Sequence, residues 1–349
     1  MVRLALWLIA LVATGAPAAA QRWPSEECID NPNIPSCLQS GAADLARAYG
    51  VRRIEEHRDA GDEVLRIFFI KDGNRAVISV VRAAGRAPTA YIHFPRVAGQ
   101  PAPAPMEAPM PQQSWDMARY RAEYADRSFA PVPPRPSDPQ IVCLHPWTYL
   151  FEASAPAEPI YGQPARIRRH SVSSCDDAPL LHFAGDLQRL VMPLFPACDI
   201  LDPILYGNGV QRFAMCRRLS GDRLAAAHVL NRAHPFQLLG GSADPHDLDD
   251  LFASDATIDW NGRGRPADQR NPAIFWRERI AGDSVNAFHI EAVEGLGQDR
   301  VRLTGYLLRD QPGTDDGTLR ARFGQIWIRG PSGLWVASAT VGRWVPTRD

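Results

Sequence analysis

Ten of the chain's 31 prolines fall between Pro101 and Pro139, and this crowding restricts the fold more than any other feature. Proline lacks a backbone donor and fixes φ, so neither an unbroken helix nor a central strand can run through such a stretch. Residues 100–139 are therefore expected to be a linker or a long surface excursion. Between its halves Trp115, Tyr120 and Tyr124 fit a short helix, and we expect these aromatics to dock on the neighbouring core.

The start of the chain reads as a secretory signal peptide, residues 1–20. Arg3 supplies the positive start, Leu4 to Ala13 the apolar stretch, and Ala18, Ala19 and Ala20 a small-residue cleavage site. A membrane span needs about twenty apolar residues, and here Gly15 and Pro17 interrupt the run. We expect a periplasmic or secreted bacterial protein with no membrane insertion after cleavage. Cys28 lies too far past the cut to carry a lipid. Cleavage leaves 329 of the 349 residues, enough for two cores at roughly 150 residues each. The formal charge of −1, with acids and bases interspersed, excludes a field that would gather nucleic acid.

Six cysteines in an exported chain point to disulfides rather than metal ligands. Cys28 and Cys37 enclose a short proline-bearing loop and are expected to pair; Cys143 with Cys175 and Cys198 with Cys216 then close local loops. No metal or cofactor is expected. His170 and His182 flank Cys175 at spacings no common zinc site uses. The acids Asp244, Asp247, Asp249 and Asp250 lack the glycine and terminal glutamate of a calcium loop. No GxSxG, SxxK or HExxH occurs, and the Gly207/Gly209 and Gly295/Gly297 pairs lack the third glycine of a dinucleotide loop.

Residues 21–99 read as a helix plus a β-meander. Leu38, Ala42, Leu45, Ala46 and Tyr49 recur at helical spacing, and Gly50 stands where a left-handed cap would end the helix. Strands are expected over 51–58, 63–71, 75–82 and 89–94. The apolar run Val64 to Ile70 is that of a central strand covered on both faces. Residues 140–219 read as a disulfide-bound α+β region: a strand over 143–153, a helix over 179–192 and a strand over 210–216.

From about residue 220 the pattern becomes regular. Helices are expected from Gly221 to His234, over 245–253, and from the Asn271-Pro272 start, with Ile274, Phe275 and Ile280 on one face. A brief strand covers Thr257 to Trp260. Four long strands close the chain, over 284–294, 300–309, 318–329 and 334–345. This order, with the phrases Leu251-Phe252-Ala253-Ser254-Asp255-Ala256 and Phe323-Gly324-Gln325-Ile326-Trp327, resembles the nuclear-transport-factor-2-like (NTF2-like) superfamily, including its SnoaL-like members, over about residues 220–346. The resemblance implies a cystatin-like roll, a curved antiparallel sheet wrapping three helices as a cone with an apolar pocket at its open end. The overall expectation is α+β: a disulfide-bound N-terminal region followed by that cone over 220–349.

The family includes isomerases and dehydratases as well as non-catalytic binders, and its enzymes place a carboxylate base inside the pocket. The candidates here are Asp259 and His289. Strand alternation sets Asp259 opposite Ile258 and Trp260, and His289 opposite Phe288, Ile290 and Ala292. Both candidates therefore face away from the core. We expect a non-catalytic module for a small apolar ligand or a protein partner, with a pocket lined by Trp260, Phe275, Phe288, Gln325 and Trp327. The alternative is an isomerase or dehydratase using Asp259 or His289 as base. On the outer face Glu291, Arg302, Thr304 and Tyr306 offer a surface through which two copies would pair as a homodimer.

Overall fold

The computed structural model describes residues 35–70, 76–96, 103–128, 147–157, 164–174, 179–207, 209–237, 248, 250–260, 263–264, 285–297, 299–309 and 318–344. Strand β1 (Glu63–Ile70) is flanked by β2 (Ala76–Arg82) and β5 (Thr148–Ala155). With β3 (Thr89–His93), β4 (Met106–Pro109) and β6 (Arg166–Ser173) they form a six-stranded antiparallel sheet, ordered β4-β3-β2-β1-β5-β6. Both faces of β1 are covered, as its apolar run requires. Helix α1 (Pro35–Tyr49) sets Leu38, Leu45 and Tyr49 against Phe68, Val77 and Leu150. Leu65, Ile67 and Phe69 take the other face.

Gly50 ends α1 at φ 63°. Its N–H donates to the Arg47 carbonyl at 3.3 Å while the Val51 N–H reaches the Ala46 carbonyl at 2.9 Å, the paired bonds of a left-handed cap. The next segment corrects an expectation. Residues 51–58 are not a strand: helix α2 (Ile54–Asp59) lies there, because Val51, Ile54 and His57 are buried at spacings of three rather than two.

The proline-rich stretch is also more structured than a linker. Met106–Pro109 joins the first sheet as β4, with Pro109 at the sheet edge where its missing donor costs nothing. Helix α3 (Gln112–Ser128) follows and buries Trp115, Ala118 and Ala122 in the core. Of the three aromatics expected to dock, only Trp115 does: Tyr120 and Tyr124 stay 63% and 61% exposed.

Helix α4 (Pro179–Val191), the short turns α5 (Pro196–Asp199) and α6 (Pro203–Tyr206), and α7 (Gly209–Cys216) come next. The last of these was expected to be a strand. Val210, Phe213 and Cys216 are buried at intervals of three, which only a helix presents to one side. A disulfide joins Cys198 of α5 to Cys216 of α7. Cys37 is also disulfide-bonded; Cys28, Cys143 and Cys175 lie outside the described residues.

The second sheet begins with β7 (Leu219–Gly221), after which Asp222 caps α8 (Arg223–Arg232) by accepting the Ala225 N–H at 3.1 Å. A four-residue α9 (His234–Gln237) follows. Of the segment 245–253 expected to be a helix, the described residues Leu248, Asp250 and Leu251 are 3₁₀ and Phe252 already begins β8 (Phe252–Trp260), with Ala256, Ile258 and Trp260 alternating into the core. After β9 (Arg263–Gly264), the helix expected from Asn271 falls outside the described residues. Strands β10 (Val285–Gly295), β11 (Arg300–Arg309), β12 (Thr318–Arg329) and β13 (Trp335–Trp344) form an antiparallel meander. The sheet order is β7-β10-β11-β12-β13-β8-β9, with β7 parallel to β10 and β8 parallel to β13.

At the β7–β10 crossing two backbones touch: a Cβ added to Gly221, which sits at φ 63°, would strike the Gly295 carbonyl, and one on Gly295 would strike Asp222. Most buried apolar side chains form one cluster running from Ile67 and Trp115 through Leu187, Phe213 and Val229 to Leu303 and Trp327, so it spans both sheets; a smaller second cluster lies between α1 and the other face of the first sheet. Among the described residues no helix is long and apolar enough to cross a membrane.

Candidate ligand site

On β11 and β12 alternate residues face the core: Val301, Leu303 and Leu307, then Ala321, Phe323, Gln325 and Trp327, all buried. Two bulges break this alternation on the neighbouring strands. In β10 an extra residue between Ile290 and Ala292 shifts the register, so Val293 is buried and Ala292 is not, contrary to the simple alternation. In β13 the shift lies between Ala337 and Ala339, so the inner face runs Trp335, Ala337, Thr340, Gly342.

The second bulge brings a polar residue inside. Gln325 and Thr340 are register partners on adjacent strands and are 1% and 2% exposed. The indole N–H of Trp327 donates to Gln325 Oε1 at 3.1 Å. Indole nitrogen is only a donor, so this contact fixes which end of the amide is oxygen. The Nε2 group is then left as a donor, and neither it nor Thr340 Oγ1 has a protein partner. Apolar walls surround them: Leu303 is the β11 partner of Gln325, and Ile258 the β8 partner of Thr340. Trp260 is buried too, its ring lying where a side chain on Gly342 would stand. Trp327 packs edge-on against Phe236, centroids 6.2 Å apart.

Of the five pocket residues expected from sequence, Trp260, Gln325 and Trp327 thus share the inner face. Phe275 lies outside the described residues, as does the side chain of Phe288. Thr340 was missed; without the bulge, alternation from Trp335 and Ala337 would put Ala339 inside.

Asp259 sits on β8 between the buried Ile258 and Trp260, half-buried and beside the exposed Val341 of β13. Its Oδ1 is enclosed without a donor. His289 is the register partner of Tyr306 and stacks on its ring at 5.1 Å with 17° between planes. Burial, then the Arg218 charge, lower its imidazole below 6.5. Neither residue is a register neighbour of Gln325 or Thr340. The outer face carries exposed ion pairs, Arg302 with Glu294 and Arg322 with Glu291.

No protein-family model matches the chain, and no curated protein sequence matches it. Solved structures do, over about a third of its length. One is an NTF-2-like protein of unknown function from Shewanella oneidensis MR-1, at 11% identity and TM-score 0.27, covering 33% of this chain and 96% of that one. Another is a putative ketosteroid isomerase from Shewanella frigidimarina, at 14% identity and TM-score 0.27, covering 36% and 99%. A third is a hexachlorocyclohexane dehydrochlorinase from Novosphingobium barchaimii LL02, at 18% identity and TM-score 0.27, covering 36% and 90%. Similarity at this level carries no activity across.

Proposed function

We propose that the protein is exported and binds a small, largely apolar molecule inside the second sheet, without itself catalysing a reaction on it. One observation carries the proposal: Gln325 Nε2 and Thr340 Oγ1 are buried side by side in an apolar interior with no protein partner. A buried donor left unpaired costs about 1–3 kcal/mol, and native structures keep such groups where something else completes them. The open end of Gln325 is a donor, so the completing group is an acceptor, such as the oxygen of a ketone or ester. Neither side chain titrates in the ordinary pH range, which suits binding better than proton transfer. Export is supported by the signal-like first twenty residues and by the Cys198–Cys216 bond.

The test is a thermal-shift screen of the full chain with small apolar ketones and esters, repeated on Gln325→Leu/Thr340→Val, Asp259→Ala and His289→Ala. The double variant is expected to lose the ligand-induced shift, and that shift rather than its own melting point is the readout, because Gln325→Leu also strips the acceptor from the buried Trp327 N–H. The two single variants should respond like wild type. A shift that survives in the double variant, or vanishes in Asp259→Ala or His289→Ala, overturns the proposal.

A further inference from the structure

A cleft of about 410 Å³ lies at one end of the second sheet, its walls drawn from α6, α8 and the turn between β12 and β13. Leu205, Leu334 and Trp335 make its apolar side, and Asp202 and Arg329 stand among its polar groups. We propose that it binds a free amino acid with an apolar side chain, Arg329 taking the carboxylate and Asp202 the ammonium group. Arg329 and Trp335 are register partners, and the guanidinium carbon lies over the indole ring, 5.4 Å from its centroid. That contact holds the charge in place without supplying an acceptor. The Arg329 side chain is 48% exposed, and its one ionic partner among the described residues, Asp299, is 81% exposed and 3.9 Å away, beyond hydrogen-bond reach. Asp299 does not line the cleft. The planar fork that suits a carboxylate is thus open to solvent.

Asp202 is fixed from two sides. Its N–H donates to Asn231 Oδ1 at 3.1 Å, while Asn231 Nδ2 donates to the Ile200 carbonyl at 2.8 Å, which ties the segment before α6 to α8. Its own Oδ1 accepts the Ile204 N–H at 2.8 Å, and no described residue forms an ion pair with it. Asp202 and Arg329 therefore share a cleft without pairing with each other, an arrangement suited to a ligand that carries both charges. The turn presents the apolar contact: the Gly330 N–H donates to the Leu334 carbonyl at 2.8 Å, Gly333 turns at φ 77°, and Leu334 is left 54% exposed. Arg232, the second cation on the wall, donates through Nη2 to the Asp250 carbonyl at 3.0 Å. Two arginines against one acid make the carboxylate the stronger of the ligand's two anchors.

The probe is L-leucine, titrated into the full chain by calorimetry beside L-leucinamide, which lacks the carboxylate, and N-acetyl-L-leucine, which lacks the ammonium group. Saturable binding of leucine at about 1 mM or tighter is expected. Leucinamide should bind about tenfold more weakly and N-acetylleucine about threefold more weakly. Arg329→Gln should cost leucine about tenfold and remove its advantage over leucinamide. Asp202→Asn keeps an acceptor for the Ile204 N–H and loses only the charge, so it should remove the advantage over N-acetylleucine. Arg329 is half exposed and the Asp202 change conserves the cap, so both variants are expected to fold. Absence of saturable leucine binding, equal binding of either derivative to wild type, or an advantage that survives in its own variant overturns the proposal. Gln325 lies four residues back along β12, about 13 Å away, and Gln325→Leu/Thr340→Val should bind leucine like wild type, so this test and that of Gln325 and Thr340 fail separately.

Discussion

His93 makes the stability of the first sheet sensitive to acid, and the size of the effect follows from its surroundings. It ends β3, stacks on Tyr91 with ring centroids 5.9 Å apart, and is largely shielded from solvent. Burial first, and the Arg66 charge second, push its imidazole from 6.5 down to about 4. Between these values the unfolded chain takes up a proton that the native site refuses. The contribution is therefore intact above pH 6.5 and is lost progressively as pH falls toward 4. At about 1.4 kcal/mol per pH unit the full loss is roughly 3 kcal/mol. Replacing the imidazole with a ring that cannot titrate, His93→Phe, should remove this acid sensitivity. Urea unfolding at about pH 7.5 and about pH 4.5 gives the two stabilities of each protein, and wild type should lose roughly 2–3 kcal/mol more than the variant between them. His57, His234 and His289 are also lowered by burial, but they are common to both proteins and cancel. If the two proteins decline in parallel to within about 0.5 kcal/mol, the attribution to His93 is wrong.

Glu152→Gln should cost about 3–5 kcal/mol in chemical denaturation, because Glu152 holds the fully buried Arg66 at 3.2 Å and Arg169 at 2.8 Å; a loss under 1 kcal/mol, on the order of a surface pair, would show the row is not dry. Trp115→Ala should cost about 3–5 kcal/mol, whereas Tyr120→Ala on the same helix should stay within about 0.5 kcal/mol; equal effects would undo the assignment of α3 to the core. Gly221→Ala and Gly61→Ala both force alanine to a positive φ, 63° and 73°, but only the first meets backbone, the second having nothing within 4 Å. Thermal melts should show Gly61→Ala losing about 1–2 kcal/mol from backbone strain alone and Gly221→Ala clearly more; the reverse order would contradict the close crossing of β7 and β10.

Periodicity made the long strands legible. The apolar run of β1 and the alternation in β11 and β12 survive in the structure, and so does the Gly50 stop of α1. Short elements were the ones misjudged. Val210 to Cys216 holds too few turns for a period of three to stand out from a period of two, and β4 hides among prolines because an edge strand tolerates them. The charge row was invisible for a different reason. Arg66 bonds Ser79 and Glu152, Glu152 bonds Arg169, and Arg169 reaches Glu55 at 2.5 Å; charged residues in a strand ordinarily mark a solvated face, and the Arg66–Glu152 partners lie 86 positions apart. Asp62 likewise meets His57 Nδ1 at 2.9 Å and Arg52 at 3.2 Å, beside α2, whose Glu55 is the one Arg169 reaches. Nothing local in the sequence distinguishes such a buried network from a wet surface.

The inner face of the second sheet separates stability from use. A sequence selected only to hold this sheet together would place an apolar residue at 325 and valine at 340, since Leu303, Ile258 and Trp327 already supply a dry surround. Instead the β13 bulge turns Thr340 inward, and Trp327 spends its one donor fixing the Gln325 oxygen. Each feature alone is a local fault, one a broken ladder and the other a buried amide half satisfied. Together they hold an amide N–H₂ and a hydroxyl on neighbouring strands, immobile and shielded from water, where an electrostatic contact is worth more than at the surface. Local rules broken in concert, at one place and toward one interior, are what supports the proposed ligand site. Thr340→Val, which removes an unpaired hydroxyl and leaves the Trp327–Gln325 bond in place, is therefore the sharpest experiment: a purely structural role predicts a protein that is less stable, and a ligand site predicts one that is more stable and binds more weakly.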